Sequence, residues 1–175
     1  AIESGHGFTS LPVDDEQLKD KISRAEKSFA KNINKPIDES YLFVLEDSET
    51  GQVIGTTAIE AAVGLTVPLY HYHLGKTVHH SPTLNVYNTV DILSMCNDYT
   101  GCSEICTLFL RENNRKGLTG RFLSRSRFLF MAQHSERFAD TVIAEMRGVS
   151  DEHGHSPFWQ WLQEHFFSIE FRKEI

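Results

Sequence analysis

A buried strand, a glycine-containing loop and a helix are predicted in direct succession in this 175-residue chain. Residues Ser103 to Leu110 are close to continuously apolar, which is typical of a strand buried on both faces at the centre of a sheet. Residues 111–120 are polar and contain Gly117 and Gly120, and residues 121–133 then return to a helical pattern. We expect four apolar residues of this helix to face inward: Phe122, Leu123, Leu129 and Phe130.

The junction between this loop and its helix suits a phosphate or pyrophosphate group. Glycine allows positive φ angles and a close approach of the backbone to a ligand. The first turn of a helix also has free N–H groups at its positive end. Charge agrees with this interpretation, because Arg111 to Arg127 has six basic residues and one acid, a local net charge of +5, while the whole chain carries −7 and the remainder therefore −12.

One compact cationic segment in an acidic chain favours a small polyanion, such as a phosphate-bearing cofactor, over nucleic acid. A duplex-binding protein usually has a broad basic face. The alternative for the cationic segment is a solvated helix face. A Walker A loop is not present here, since Gly120 is followed by Arg121 rather than by Lys, and the spacing of Gly117 and Gly120 does not give a dinucleotide fingerprint.

The rest of the chain predicts a mixed α/β fold in a single domain of residues 1–175. Helical spacing and an acidic start predict a helix over residues 14–31. Tyr41 to Leu45 and Gln52 to Val63 predict a hairpin around a polar turn, and Pro68 to Asn97 predicts short strands with irregular connections. Thr141 to Arg147 predicts a second central strand, and Ser156-Pro157 the start of a further helix.

Several classes of protein are disfavoured by the sequence. The longest apolar runs are far shorter than the roughly 20 residues of a membrane-spanning helix, and no secretion signal is recognisable, so we expect a cytoplasmic protein. Cys96, Cys102 and Cys106 lack CxxC spacing, which predicts reduced thiols and no disulfide. We also expect no metal, although His71 and His73 share a strand face and His79-His80 follow shortly. His153 and His155, in the loop after the second central strand, are weaker catalytic candidates.

Longer stretches closely resemble the arginine N-succinyltransferase family, in order and over essentially the whole chain. They are residues 9–12, 43–51, 84–88, 106–110, 124–128, 144–149 and 151–159. Residues 115–120 are similar to the pyrophosphate loop of the GNAT-like acyl-CoA transferases, with Leu118 where a glycine is usual. The resemblance implies a GNAT-like, mostly antiparallel sheet with flanking helices and a splayed central strand pair. It also implies that the chain corresponds to the first half of a family member, truncated at both ends.

The function implied by the resemblance is transfer of a succinyl group from succinyl-CoA to the α-amine of arginine. Leu108 falls where the family places a residue that contacts succinyl-CoA, and we expect its neighbours Phe109 and Leu110 to bind the cofactor with it. The pyrophosphate would be bound by a second set of residues: Arg115, Lys116, Gly117, Thr119, Gly120 and Arg121. The family's proton-donating histidine is expected in the second half, outside this chain.

Two roles are left open by the sequence: the catalytic base and the residue that binds the guanidinium group. Glu104, at the start of the central strand, is a candidate catalytic base. A guanidinium group calls for a carboxylate that accepts two parallel N–H bonds, and four residues are candidates: Glu60, Glu145, Asp151 and Glu152. The alternatives for function are a non-catalytic CoA-binding half or subunit, and an acyltransferase for another amine such as ornithine. We expect an oligomer formed with itself or with a related subunit, and no nucleic-acid or membrane partner.

Overall fold

The structure, a computed structural model, describes residues 11, 14–146, 148–149, 151 and 155–166. Its helices are α1 (Asp15–Ala30), α2 (Thr119–Gln133) and α3 (Pro157–His165). Its strands are β1 (Ser40–Glu46), β2 (Val53–Glu60), β3 (His71–Ser81), β4 (Val86–Cys96), β5 (Ser103–Leu110) and β6 (Val142–Ile143). Within these ranges, no helix is both long and apolar enough to cross a membrane. The mixed α and β architecture agrees with the predicted fold class.

Helix α1 begins and ends close to its predicted limits. The Asp14 side chain accepts a hydrogen bond of 2.8 Å from the backbone N–H of Gln17, which caps the first turn. Asp15 and Glu16 add negative charge at the positive end of the helix. Ala25 and Ser28 are the buried residues of the helix, and they lie on the side that faces β1.

Four strands form one sheet in the order β1-β2-β5-β6. The predicted hairpin of β1 and β2 is confirmed, with Tyr41 opposite Ile59 and an antiparallel register. Its turn is held by Asp47, whose side chain accepts hydrogen bonds of 3.0 Å from the N–H groups of both Glu49 and Thr50. Strand β2 also pairs antiparallel with β5, so β5 lies inside the sheet as the sequence indicates.

Strand β5 contains a bulge that changes which residues share a face. The register shifts between Thr56 and Ala58 of β2, and Thr107 on the opposing strand has a φ of +54°. Because of the extra residue, Leu110 lies on the same face as Ile105 and not on the face of Cys106, contrary to simple alternation. The prediction that β5 is buried on both faces is also wrong at Leu108, which is 44% exposed.

The second central strand is much shorter than predicted. Of the predicted Thr141 to Arg147, the described residues are 141–146, and among them only Val142 and Ile143 form β6, which runs parallel to β5 opposite Ser103 and Glu104. Strand β5 continues to Leu110 without a strand on that side among the described residues, so the central pair splays apart after two residues. The splayed pair implied by the family resemblance is therefore present.

The region between β2 and β5 differs from the prediction of short, irregular strands. Strands β3 and β4 have 11 residues each and pair antiparallel along their whole length as a separate two-stranded sheet. Pro82 and Asn85 lie in the turn between the two strands, where Asn85 has a φ of +49°. Gly75 lies inside β3, opposite Ile92, so this single glycine does not end the strand.

The core lies between the four-stranded sheet and helices α1 and α2. Its buried residues are Ile33, Tyr41, Ile59, Ala61 and Phe138, with Phe43, Ile105, Phe130 and Met131 packed against them. Of the four residues of α2 expected inward, Leu123 is buried and Phe130 packs on the core, whereas Phe122 and Leu129 are 61% and 72% exposed. The inward stripe instead contains Arg127, one turn after Leu123.

Candidate functional site

The loop between β5 and α2 is anchored to the end of the strand. After Leu110 the chain makes a short 3-10 turn at Glu112–Asn114 and enters α2 at Thr119. The Arg115 side chain folds back, and its Nε donates a hydrogen bond of 2.8 Å to the carbonyl oxygen of Leu110. Gly117 has a φ of +57°, a left-handed conformation that favours glycine. Arg115 therefore fixes where the loop starts, and Gly117 turns it into the helix.

Several N–H groups at the start of α2 are available to a ligand. The N–H of Thr119 bonds to the carbonyl of Lys116 at 3.3 Å, and that of Phe122 bonds to Leu118 at 2.8 Å. Within the described part of the chain, the remaining N–H groups of this segment donate no hydrogen bond; they belong to Gly117, Leu118, Gly120 and Arg121. Three of these four were among the predicted pyrophosphate residues, and the fourth, Leu118, was not.

The positive charges of this segment divide into an exposed and a buried group. Four exposed residues form no ion pair with any residue that the structure describes: Arg115, Lys116, Arg121 and Arg125. Arg127 is only 4% exposed and donates to the carbonyl and hydroxyl oxygens of Ser124 at 3.1 and 3.0 Å. Burial lowers the pKa of Arg127. The alternative that the cationic segment is a solvated helix face therefore fails at Arg127. The sequence pattern does not distinguish this arginine from the other basic residues of the segment.

An open cavity of about 730 Å³ lies between the β1–β2 turn and the loop after β5. Its walls are Asp47, Thr50, Gln52, Ile54, Phe109, Arg111, Glu112, Asn113, Asn114 and Arg115. Hydrogen bonds from the N–H groups of Thr50 and Glu49 lower the pKa of Asp47, and the charge of Lys116 acts in the same direction. The predicted residues Phe109 and Arg115 therefore line one concave surface.

The free side of β5 lies beside this loop. Its residues after Glu104 have no strand partner on the β6 side among the described residues, and Leu108 is exposed there. The carbonyl of Thr107 accepts a hydrogen bond of 3.2 Å from the Thr56 hydroxyl, which holds the bulge in place. The end of β5 lies next to the start of α2, since a Cβ at Gly120 would be 3.9 Å from the Leu110 side chain.

Glu104 lies among other carboxylates at the start of β5. It is directly opposite Glu60 on β2, and burial raises its pKa, with further contributions from the charges of Glu145 and Glu60. Lys21 opposes this shift. A carboxylate with a raised pKa accepts protons more readily than an ordinary one, which suits a general base.

The other predicted carboxylates are in different situations. Glu60 accepts a hydrogen bond of 2.9 Å from the Ser40 hydroxyl and pairs with Arg24 at 3.1 Å, so it is already engaged. Glu145 is exposed and lies close enough to influence Glu104. Asp151 is far along the chain from Glu60 and Glu104. Its carboxylate lies 2.9 Å from Nδ1 of His155. Glu152 and His153 lie outside the described residues.

A group of potential metal ligands occurs at the base of the β3–β4 sheet. The side chains of His71, Cys96 and Asp98 lie within 4.8 Å of one another. However, Nε2 of His71 accepts a hydrogen bond of 3.2 Å from the N–H of Asp98, so the neutral ring carries its proton on the buried Nδ1. Neither nitrogen then offers a free lone pair, and the arrangement does not favour a metal. His73 lies on the same face but is not part of the group.

The cysteines are free thiols in the structure. Cys96, Cys102 and Cys106 are all partly buried and unbonded to one another. Burial raises the pKa of Cys106 to about 11, while a hydrogen bond that the Thr107 hydroxyl donates to Sγ of Cys106 opposes the shift. Cys106 is therefore a poor nucleophile at neutral pH, since the thiolate is the reactive form.

Comparison with known proteins decides the family. The family model described as arginine N-succinyltransferase beta subunit matches residues 1–174. The chain belongs to this family. The arginine N-succinyltransferases of Citrobacter koseri and Escherichia coli are each 52% identical over 173 residues, which is 99% of this chain and 50% of the relative. The chain therefore spans about half the length of the curated relatives it matches.

A solved structure agrees with the family assignment. The arginine/ornithine succinyltransferase subunit AI from Pseudomonas aeruginosa is 42% identical and superposes with a TM-score of 0.86, over 96% of this chain and 51% of that one. The resemblance to the arginine N-succinyltransferase family that the sequence carries is thus confirmed. The agreement includes the α+β fold class.

Proposed function

We propose that the chain carries the succinyl-CoA-binding part of an enzyme that transfers a succinyl group to the α-amine of arginine. The observation that carries this proposal is the free edge of β5 after Glu104, which leads to Leu110 beside Gly120 at the start of α2. The free strand edge thus ends next to N–H groups and cations that have no partner among the described residues. A long ligand with a phosphate-rich end and an amide-containing arm needs these two neighbouring features.

The pyrophosphate of succinyl-CoA would bind at the start of α2. The N–H groups of Gly117, Gly120 and Arg121 would donate to its oxygens, and the side chains of Lys116 and Arg121 would supply charge. Thr119 would contribute its hydroxyl, since its N–H is already used by Lys116. Arg115 would act mainly by positioning the loop through its bond to Leu110.

The pantetheine arm would run along the free edge of β5. Its amides would pair with the backbone of Leu108, Phe109 and Leu110, as a peptide adds to an exposed sheet edge. The exposed Leu108 side chain would contact the arm directly. This arrangement would lead the thioester from the phosphate site toward the start of β5, where Glu104 lies.

Glu104 would act as the base for the arginine amine. The neutral amine attacks the thioester carbonyl, the tetrahedral intermediate expels the CoA thiolate, and the proton lost by the amine passes to Glu104 directly or through water. The thiolate takes up a proton from a donor, which the family resemblance assigns to a histidine outside this chain. We propose Glu145 as the carboxylate for the guanidinium, because it is exposed and close to Glu104.

Calorimetry with succinyl-CoA tests the binding part of the proposal. We expect the double substitution Lys116→Ala and Arg121→Ala to weaken binding by at least tenfold, because two unpaired cations are lost. Lys27→Ala with Lys35→Ala removes the same charge from exposed positions elsewhere and should leave affinity within about twofold. Equal affinities for both double variants would contradict the site.

Release of CoA thiol in the presence of arginine tests the reaction. The alternative functions give different results in the same assay. Binding without turnover would support a non-catalytic half or subunit, which the half-length match to the relatives makes a specific alternative. Faster turnover with ornithine than with arginine would support another amine, and the name of the Pseudomonas aeruginosa relative includes both. A cytoplasmic location remains a prediction.

A further inference from the structure

Lys21, on α1, carries an ammonium group that donates no hydrogen bond to any residue that the structure describes. Its Nζ lies 3.9 Å from Oε1 of Glu60, which is too long for a hydrogen bond. The Lys21 side chain is only 17% exposed, so water has limited access to its three N–H donors. A largely buried cation without an acceptor costs free energy, which a bound anion would recover.

Glu60, which lies beside Lys21, is already bound by two other residues. Its Oε1 accepts a hydrogen bond of 2.9 Å from the Ser40 hydroxyl, and its Oε2 pairs with Nη2 of Arg24 at 3.1 Å. The positive charge of Arg24 therefore balances Glu60 by itself. The charge of Lys21 remains available to another anion.

Lys21 lies close to the residue proposed as the catalytic base. Glu60 and Glu104 are directly opposite each other on β2 and β5, so their side chains share a face of the sheet. Cys106, two residues after Glu104, lies on the same face. Burial raises the pKa of both Glu104 and Cys106, and the charge of Lys21 opposes both shifts. The ammonium group thus lies near the start of β5, on the face of Glu104.

The free edge of β5 begins at the same place. Strand β6 pairs with β5 only at Ser103 and Glu104, so the edge is open from Ile105 onward among the described residues. In the proposed function, the thioester of succinyl-CoA and the amine of arginine meet there. Both substrates have a carboxylate close to the reacting atom, since the succinyl group ends in one and the α-carbon of arginine carries another.

We propose that Lys21 binds a substrate carboxylate beside Glu104 and thereby contributes to the choice of substrate. The inference rests on the proposed function, because that function brings both substrates to the start of β5. Glu104 and Glu145 would repel an incoming carboxylate, so a cation beside them is needed to hold it. An ammonium–carboxylate hydrogen bond is stronger than one between neutral groups.

Calorimetry of the 175-residue chain with two pairs of ligands tests the proposal. Butyryl-CoA has a methyl group where succinyl-CoA has its carboxylate, and argininamide has a neutral amide where arginine has its carboxylate. Lys21→Met keeps an unbranched side chain and removes the charge. We expect Lys21→Met to weaken binding of succinyl-CoA, of arginine or of both at least tenfold, and binding of the matching neutral ligand by no more than about twofold.

The two carboxylate ligands distinguish the source of the bound group. A loss of affinity for succinyl-CoA would assign Lys21 to the acyl donor, and a loss for arginine would assign it to the amino acid. Lys19→Met removes the same charge from an exposed position of α1 and should leave all four affinities within about twofold. Far-ultraviolet circular dichroism of both variants checks that they are folded.

Two results would overturn this proposal and leave the proposed function intact. One is a Lys21→Met variant with wild-type affinity for both succinyl-CoA and arginine, which would make Lys21 a counterion of the acidic residues around Glu104. The other is an equal loss of affinity for a carboxylate ligand and its neutral counterpart, which would indicate a general disturbance of the site. A wild-type chain that binds neither succinyl-CoA nor arginine would instead contradict the proposed function, and this proposal with it.

Discussion

Nε of Arg115 donates a hydrogen bond of 2.8 Å to the carbonyl oxygen of Leu110, joining the cationic loop to the end of β5. The side chain of Lys116, the next residue, donates no such hydrogen bond to any residue that the structure describes. We expect Arg115→Ala to lower the free energy of unfolding by about 1 kcal/mol, the usual contribution of one hydrogen bond. Lys116→Ala should stay within about 0.5 kcal/mol of wild type while weakening succinyl-CoA binding several-fold.

Chemical denaturation and calorimetry on the same samples distinguish these roles. The pair of variants separates a residue that positions the loop from one that contributes charge to the ligand. Equal losses of stability in both variants would contradict the structural role of Arg115. An unchanged affinity in Lys116→Ala would contradict its role in binding.

Gly117 and Gly120 make a second matched pair. Alanine at position 117 would meet nothing within 4 Å, but the φ of +57° is strained for any residue with a Cβ, so we expect a loss of about 1 kcal/mol. A Cβ at position 120 would lie 3.9 Å from Leu110, an ordinary contact, and alanine favours a helix. Gly120→Ala should therefore keep or raise the melting temperature.

Both glycine substitutions should nevertheless weaken succinyl-CoA binding, because each adds a Cβ where the pyrophosphate is proposed to approach the backbone. Calorimetry with succinyl-CoA and thermal unfolding measure the two effects separately. Gly120→Ala is the decisive variant, since its expected loss of affinity is not accompanied by a loss of stability. Wild-type affinity in Gly120→Ala would place the phosphate elsewhere.

Glu104 should make the stability of the protein depend on pH. Its folded pKa is raised above the usual 4.5, first by burial, so the folded state binds the proton more tightly than the unfolded state. The stabilisation that this gives is complete below the unfolded pKa and is lost as pH rises through the folded pKa. We expect Glu104→Gln to melt at a higher temperature than wild type near pH 8, with the difference vanishing below about pH 4.

The same substitution should lower turnover about 10²- to 10⁴-fold if Glu104 is the base. Glu26→Gln, at an exposed position of α1, should change neither the melting temperature nor turnover. A higher melting temperature combined with wild-type turnover would leave Glu104 as a buried carboxylate and exclude it as the base.

Cys106 should react slowly with a thiol reagent in the folded protein. With a pKa of about 11, only about one molecule in a thousand carries the thiolate near pH 8. We expect mass spectrometry after brief labelling to find Cys106 unmodified, and full labelling of all three cysteines after unfolding in guanidinium chloride. Rapid modification of Cys106 in the folded state would contradict its burial between β2 and the splayed edge.

Much of the fold could be predicted from local pattern. Three elements could be predicted from their own residues: α1 from its acidic start and periodic apolar residues, the β1–β2 hairpin from its polar turn, and β5 from its apolar run. The loop residues 115–121 could also be identified, because glycine and charge in a short polar segment carry a local signal. The Ser156 cap with Pro157 at the first helical position was likewise readable from two residues.

Contacts distant in sequence account for the errors. Thr141 to Arg147 has the composition of a strand, but pairing with β5 stops after Ile143, and composition does not reveal where a neighbouring strand diverges. The predicted inward face of α2 is wrong because Arg127, a charged residue, occupies it in place of Leu129. The bulge at Thr107 and the length of the β3–β4 sheet have no local signal strong enough to predict them.

Residue type, local periodicity and similarity along the chain are enough to give the family, the α+β class and the position of the cationic loop. Three further features depend on tertiary contacts: β5 and β6 part after two residues, Arg115 bonds to Leu110, and Lys76 lies opposite Asp91 in the separate β3–β4 sheet. Strand register and divergence are set by hydrogen bonds between segments far apart in the chain. A one-residue shift in register reverses which face a side chain occupies.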